Sequence, residues 1–99
     1  DVGGYLGSAP PPVFVRWAQL GAFSLVMNQF GQSNKGPWDY SLEVLDIYRT
    51  YARLHMQLFP YLMSLCHEAA HYGRPPIRPM ALAFQDDQEA HRYEMQYML

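Results

Sequence analysis

The sequence predicts an α/β fold with parallel strands, and three observations lead there. Residues 23–27 and 77–84 are short, mostly apolar runs bounded by Gly, Pro or polar residues, which is the setting of a buried strand. Between them, residues 41–58 carry apolar side chains at three- and four-residue steps, which is the pattern of an amphipathic helix. The resulting order is strand end, helix, strand, helix pair, strand, the alternation that builds parallel sheets. Two or three strands neither close a barrel nor cover both faces of a sheet. The 99 residues are therefore expected to be one piece, 1–99, of a larger α/β domain.

The elements follow in order. Asp1-Val2-Gly3-Gly4-Tyr5 reads as the C-terminal tip of a strand passing into a functional loop. A free-standing domain rarely begins in such a loop, so this start also points to a piece of a longer protein. Pro10-Pro11-Pro12 stiffens the chain and lets a helix begin. Residues 13–20 form that helix, with Phe14, Trp17 and Leu20 on one side and Gly21 as its stop. Residues 23–27 are the buried strand, and residues 28–39 a long polar loop of the kind that is often functional. Ser41 or Asp39 caps the helix over 41–58, whose inner face carries Val44, Ile47, Tyr48, Tyr51, Leu54 and Leu58. Pro60 kinks or restarts it, and Gly73 closes a second helix. Residues 77–84 are a strand carrying Arg78, and residues 86–95 a turn and short helix.

Composition narrows the function classes. The chain is 49% apolar, 15% aromatic and only 16% charged, so apolar surface is expected to meet further parts of a parent protein. A net charge of −2 without a basic block gives nucleic-acid binding no electrostatic support. No apolar run approaches the ~20 residues that span a bilayer. Cys66 is the single cysteine, which excludes an internal disulfide and reads as a small buried residue.

One motif suggests different chemistry. His67-Glu68-Ala69-Ala70-His71 fits H-E-x-x-H, in which two histidines share a helix face to hold zinc and the glutamate acts as base. Glu89, His91 and Glu94 follow as third-ligand candidates. The spacing is short enough to arise by chance in a chain with four His. A zinc metallopeptidase-like domain is thus one alternative, and a non-catalytic α/β interaction module another.

A family likeness runs through nearly the whole chain. Asp1-Val2-Gly3-Gly4-Tyr5-Leu6-Gly7, Val15-Arg16-Trp17-Ala18-Gln19-Leu20-Gly21-Ala22-Phe23-Ser24, Leu58-Phe59-Pro60-Tyr61-Leu62, Ile77-Arg78-Pro79, Phe84-Gln85-Asp86-Asp87 and Tyr97-Met98-Leu99 occur in one order. That ordered set resembles glycoside hydrolase family 31, in the late part of its (β/α)8 catalytic TIM barrel. The resemblance implies the last two or three β/α units of an exo-acting α-glycosidase such as an α-glucosidase or α-xylosidase. It implies a retaining mechanism with two aspartates upstream of Asp1, a carbohydrate substrate, the remainder of the barrel as partner, and no cofactor or metal. It places Asp1 in the sugar pocket and Tyr5 on its lining. After the strand matching 23–27 the family usually shows Arg-x-His holding the terminal sugar. Asn28-Gln29-Phe30 stands there instead, which calls ordinary α-glucose specificity into question. Asn28 and Phe30 then become candidates for shaping the pocket. Trp38 is read as hinge packing with sugar stacking as the alternative, and Arg78 as a structural partner for a buried carboxylate.

Overall fold

A computed structural model describes residues 1–31 and 35–99. They form two compact units, Asp1–Tyr61 and Leu62–Leu99.

The first unit is built on two helices. α1 spans Pro11–Ala22, with proline at its first positions. There a missing N–H costs nothing and φ is already helical. Sequence reasoning ends this helix at Gly21, but it runs on through Gly21 to Ala22. The reason is packing. A Cβ on Gly21 would stand 3.4 Å from both Met27 Cγ and Val2 Cγ2, so the glycine permits a close approach rather than a stop. α2 spans Leu42–Gln57, and Ser41 caps it by accepting the Val44 N–H at 3.3 Å. The core is Val2, Phe14, Ala18 and Val44. Phe14 is 1% exposed and stacks on Tyr40 and Tyr48 at 4.5 and 5.7 Å. Two polar ties join α1 to α2: Gln19 Nε2 donates to the Tyr51 hydroxyl at 3.2 Å, and His55 Nδ1 lies 3.1 Å from Ala22 O. A carbonyl only accepts, so the proton of that last bond belongs to Nδ1.

The expected strand over residues 23–27 is not formed; the stretch is neither strand nor helix, and Val26 is 70% exposed. A strand is held by ladder hydrogen bonds to a neighbour, and no neighbouring strand lies beside it among the described residues. One backbone bond, Val2 N–H to Asn28 O at 2.9 Å, ties the end of the stretch to the start of the chain. Of the expected loop over 28–39, Pro37–Asp39 is a 3₁₀ turn, and Gln32, Ser33 and Asn34 lie outside the described residues.

α3, Phe59–Tyr72, carries Pro60 in its first turn and ends at Gly73, whose φ of +67° suits glycine. It leads into the second unit. Sequence reasoning makes residues 77–84 a strand in a parallel sheet, and this is corrected. β1 is only Arg78–Pro79, and it pairs antiparallel with β2, Tyr97–Met98, in the register Arg78↔Met98 and Pro79↔Tyr97. The chain then turns into α4, Met80–Ala83. Met, Ala and Leu are strong helix formers, and Pro79 ahead of them supplies a φ of −60°. A 3₁₀ turn, Ala90–Arg92, stands where a turn and short helix are expected. No parallel pair of strands is present among the described residues. None of the described helices is long and apolar enough to cross a membrane.

Candidate functional site

The first unit brings the four sequence-predicted pocket residues together in two pairs. Gly4 N–H donates to Asp1 O at 2.9 Å, closing a turn with Gly3 at its third position. Gly3 has φ +87°, the left-handed region that such a turn demands, and a Cβ there would also stand 3.0 Å from Phe14 Cδ2. The turn leaves Asp1 exposed beside residue 28. Asn28 Nδ2 donates to Asp1 Oδ1 at 3.3 Å. The second pair is aromatic: Tyr5 and Phe30 lie 5.9 Å apart between ring centroids, tilted by 41°. Their separation falls in the range where edge-to-face contacts are favourable.

Gly31 explains why the two stretches run so close. A Cβ at Gly31 would stand 2.7 Å from Tyr5 O and 3.1 Å from Gly4 O. Only a residue without a side chain lets residues 28–31 lie along residues 1–5. Sequence reasoning singled out Asp1, Tyr5, Asn28 and Phe30 but gave no sign that this glycine sets their spacing.

Beside the pairs lies a cleft of about 160 Å³. Phe30 lines it; Asp1, Tyr5 and Asn28 do not. Its polar lining comes from residues that sequence reasoning missed, chiefly Gln29 and Lys35. Gln29 Nε2 donates to Lys35 O at 2.6 Å, and Lys35 Nζ donates to Ser8 Oγ at 3.1 Å. The Lys35 ammonium sits 4.0 Å from the Tyr40 ring centroid, within cation–π range. The Tyr40 hydroxyl donates to Ala9 O at 2.9 Å, which fixes the ring. The only sequence signal for Lys35 is a lone cation in an otherwise uncharged run, Gly31 to Trp38.

Trp38 is 71% exposed at the rim of the cleft. Its ring lies directly over Gly36, where a Cβ would come within 2.2 Å of it. The Asp39 carboxylate accepts the Gly36 N–H at 2.7 Å and steadies this turn. Trp38 therefore does not pack in the core and presents an open aromatic face. Aromatic faces of this kind suit the C–H side of a sugar ring, while the amide and hydroxyl groups nearby suit its hydroxyls.

The second unit holds the residues of the metal motif. His67 and His71 lie one turn apart on α3. Glu68 faces Arg74 at 3.8 Å. Of the third-ligand candidates, Glu89 pairs with Arg92 at 3.0 Å, and His91 Nε2 lies 3.2 Å from Gln85 O. Among the described residues, no three His, Cys, Asp or Glu side chains come together to hold a metal ion. Arg78 Nε is buried without a hydrogen-bond partner, so the carboxylate expected to meet Arg78 does not reach this nitrogen among the described residues.

Comparison with known proteins gives the site its context. Residues 1–65 match the model of the glycosyl hydrolases family 31 TIM-barrel domain. An alpha-xylosidase of Emericella nidulans is 32% identical over 99 residues, covering 99% of this chain and 13% of that protein. An alpha-xylosidase of Saccharolobus solfataricus is 32% identical over 104 residues, covering 99% of this chain and 14% of that protein. Neutral alpha-glucosidase C of Mus musculus is 32% identical over 102 residues, covering the whole of this chain and 11% of that protein. The chain thus spans well under a fifth of the length of these relatives.

Proposed function

The chain belongs to glycosyl hydrolase family 31, and from that membership we propose that the whole protein is an exo-acting α-glycosidase. It removes a terminal α-linked sugar with retention. The 99 residues contribute the last two or three β/α units of its barrel and one wall of its sugar pocket. Within the assembled barrel, residues 23–27 gain the neighbouring strands that a ladder requires, and they pair there.

The observation that carries the reading is the Asp1–Asn28 hydrogen bond at 3.3 Å. It joins the turn after one predicted strand to the residue after the next. Barrel enzymes build their sites from such strand ends. A carboxylate held there accepts sugar hydroxyl protons in charge-assisted bonds. Asn28 orients it through Nδ2, and the side-chain Oδ1 of Asn28 can accept a further hydroxyl. Tyr5 and Phe30 supply an apolar wall, so this side of the pocket grips the ring by contact where the family's Arg-x-His would grip it by charge.

Retention needs two further carboxylates about 5 Å apart, one as nucleophile and one as acid and base. These come from outside the 99 residues. The nucleophile attacks the anomeric carbon as the acid protonates the departing oxygen; the same residue, now a carboxylate, then takes a proton from water, whose oxygen attacks the anomeric carbon and releases the nucleophile. Asp1 takes no part in proton transfer and holds the sugar.

The test is Asp1→Asn in the full-length protein, with 4-nitrophenyl α-xyloside and α-glucoside as substrates. Loss of the charge-assisted bonds is expected to lower kcat/KM by roughly 10-fold or more, mostly through KM. An unchanged kcat/KM on the hydrolysed substrate would remove Asp1 from the pocket.

A further inference from the structure

We propose that the cleft beside the Asp1–Asn28 pair is a subsite for an acidic substituent, so that the sugar or its leaving group carries a carboxylate or a phosphate. This rests on the glycosidase reading and narrows its substrate class. Lys35 is the residue that recognises the anion.

Four observations point to it. First, Lys35 is half-buried and lines the cleft. Second, its ammonium is held from two sides, by Ser8 Oγ at 3.1 Å and the Tyr40 ring at 4.0 Å. A flexible side chain held at both contacts is already ordered for a ligand, which reduces the entropy lost on binding. Third, no carboxylate pairs with it among the described residues. The ion pairs Arg49–Asp46, Arg74–Glu68 and Arg92–Glu89 all involve other cations. The Asp39 carboxylate accepts the Gly36 N–H through Oδ2 at 2.7 Å and forms no ion pair with Lys35. Gln32, Ser33 and Asn34, which precede Lys35 in the chain, carry no charge. Fourth, an ammonium has three N–H donors, and Ser8 takes one of them.

The rest of the cleft fits a sugar that bears such a group. Trp38 offers an open aromatic face at the rim. Phe30 lines the cleft and also packs on Tyr5, so the cleft is continuous with the wall proposed for the neutral part of the sugar. At about 160 Å³ the cleft is smaller than the ~300–1,000 Å³ of pockets that enclose drug-sized ligands, and it suits a single substituted ring. The overall charge of −2 means that anions are not drawn in by the chain as a whole. Discrimination falls to this one cation.

The experiment measures equilibrium binding by calorimetry to the full-length protein and to its Lys35→Met and Lys35→Arg variants. The probes are methyl α-glucoside, methyl α-glucuronide, glucose 6-phosphate and inorganic phosphate. Thermal melting first establishes that each variant folds. The expected result is tighter binding of at least one acidic sugar than of methyl α-glucoside. Lys35→Met then weakens the acidic sugar about 10-fold, leaves the neutral sugar within twofold, and Lys35→Arg restores part of the loss. Preference for the uronide or for the phosphate identifies which acidic group is used. Binding of inorganic phosphate alone, with no added affinity for either sugar, overturns the proposal. So does equal weakening of neutral and acidic sugars in Lys35→Met. If no sugar binds and no aryl α-glycoside is hydrolysed, the glycosidase reading fails instead.

Discussion

Asn28 Nδ2 donates to Asp1 Oδ1 at 3.3 Å across 27 positions of sequence. The next residue adds a backbone tie between the same two stretches: the Val2 N–H donates to Asn28 O at 2.9 Å. The amide is thus fixed by the chain before its side chain reaches the carboxylate. Held this way, one oxygen of the carboxylate is tied in place, and under the proposed function that ordering lowers the cost of binding a sugar.

The family resemblance implies an Arg and a His at the positions of Asn28 and Phe30. Replacing both, Asn28→Arg with Phe30→His, puts a cation beside Asp1 and a polar ring beside Tyr5. The hydrolysis ratio of 4-nitrophenyl α-glucoside to α-xyloside is expected to rise by about 10-fold, one strong polar contact's worth of discrimination. Parallel kcat/KM measurements on the two substrates check it. An unchanged ratio means that these positions do not read the sugar.

Gly31→Ala is expected to separate the two stretches that hold the site. Its Cβ would meet Tyr5 O at 2.7 Å, and a backbone oxygen cannot swing aside as a flexible side chain can. Overpacking of this kind costs about 1–3 kcal/mol. Thermal melting of the full-length variant should show a lowered Tm, and kcat/KM should fall with it. A variant with wild-type Tm and activity would show that the close approach is dispensable.

Tyr48 gives a pH signature. Burial against the core raises its pKa above the ordinary value of 10.0, because desolvation disfavours the phenolate. The unfolded chain therefore loses this proton at lower pH than the folded one. The stabilisation is fully present below pH 10 and is lost as pH rises through the folded pKa. Urea melts at a series of pH values should show a decline above pH 10 that is smaller in Tyr48→Phe. Identical slopes in the two proteins would mean that Tyr48 is not desolvated.

The helices were legible in the sequence because their signals are local. Ser41 as cap, the apolar face from Val44 to Leu58, and Gly73 as stop all act within a few residues. Strands are not local. Residues 23–27 have strand composition but no ladder partner among the described residues, and residues 77–84 conceal a helix-forming Met80-Ala81-Leu82-Ala83 behind Pro79. Asp1, Tyr5, Asn28 and Phe30 are pocket candidates from the order of motifs alone, and the structure brings them into two neighbouring pairs. Lys35 was missed. Its setting depends on Ser8 and Tyr40, far from it in sequence, and no spacing rule marks it.

The most direct measurement is a double-mutant cycle on Asp1 and Asn28 in the full-length protein. Asp1→Ala, Asn28→Ala and the double variant are compared by kcat/KM on whichever 4-nitrophenyl α-glycoside the protein hydrolyses best. If the pair binds sugar as a unit, each single variant loses activity. The double variant then loses less than the product of the two losses, with a coupling of about 0.5–3 kcal/mol. Losses that multiply independently, or variants as active as wild type, would contradict a sugar-binding role for this pair.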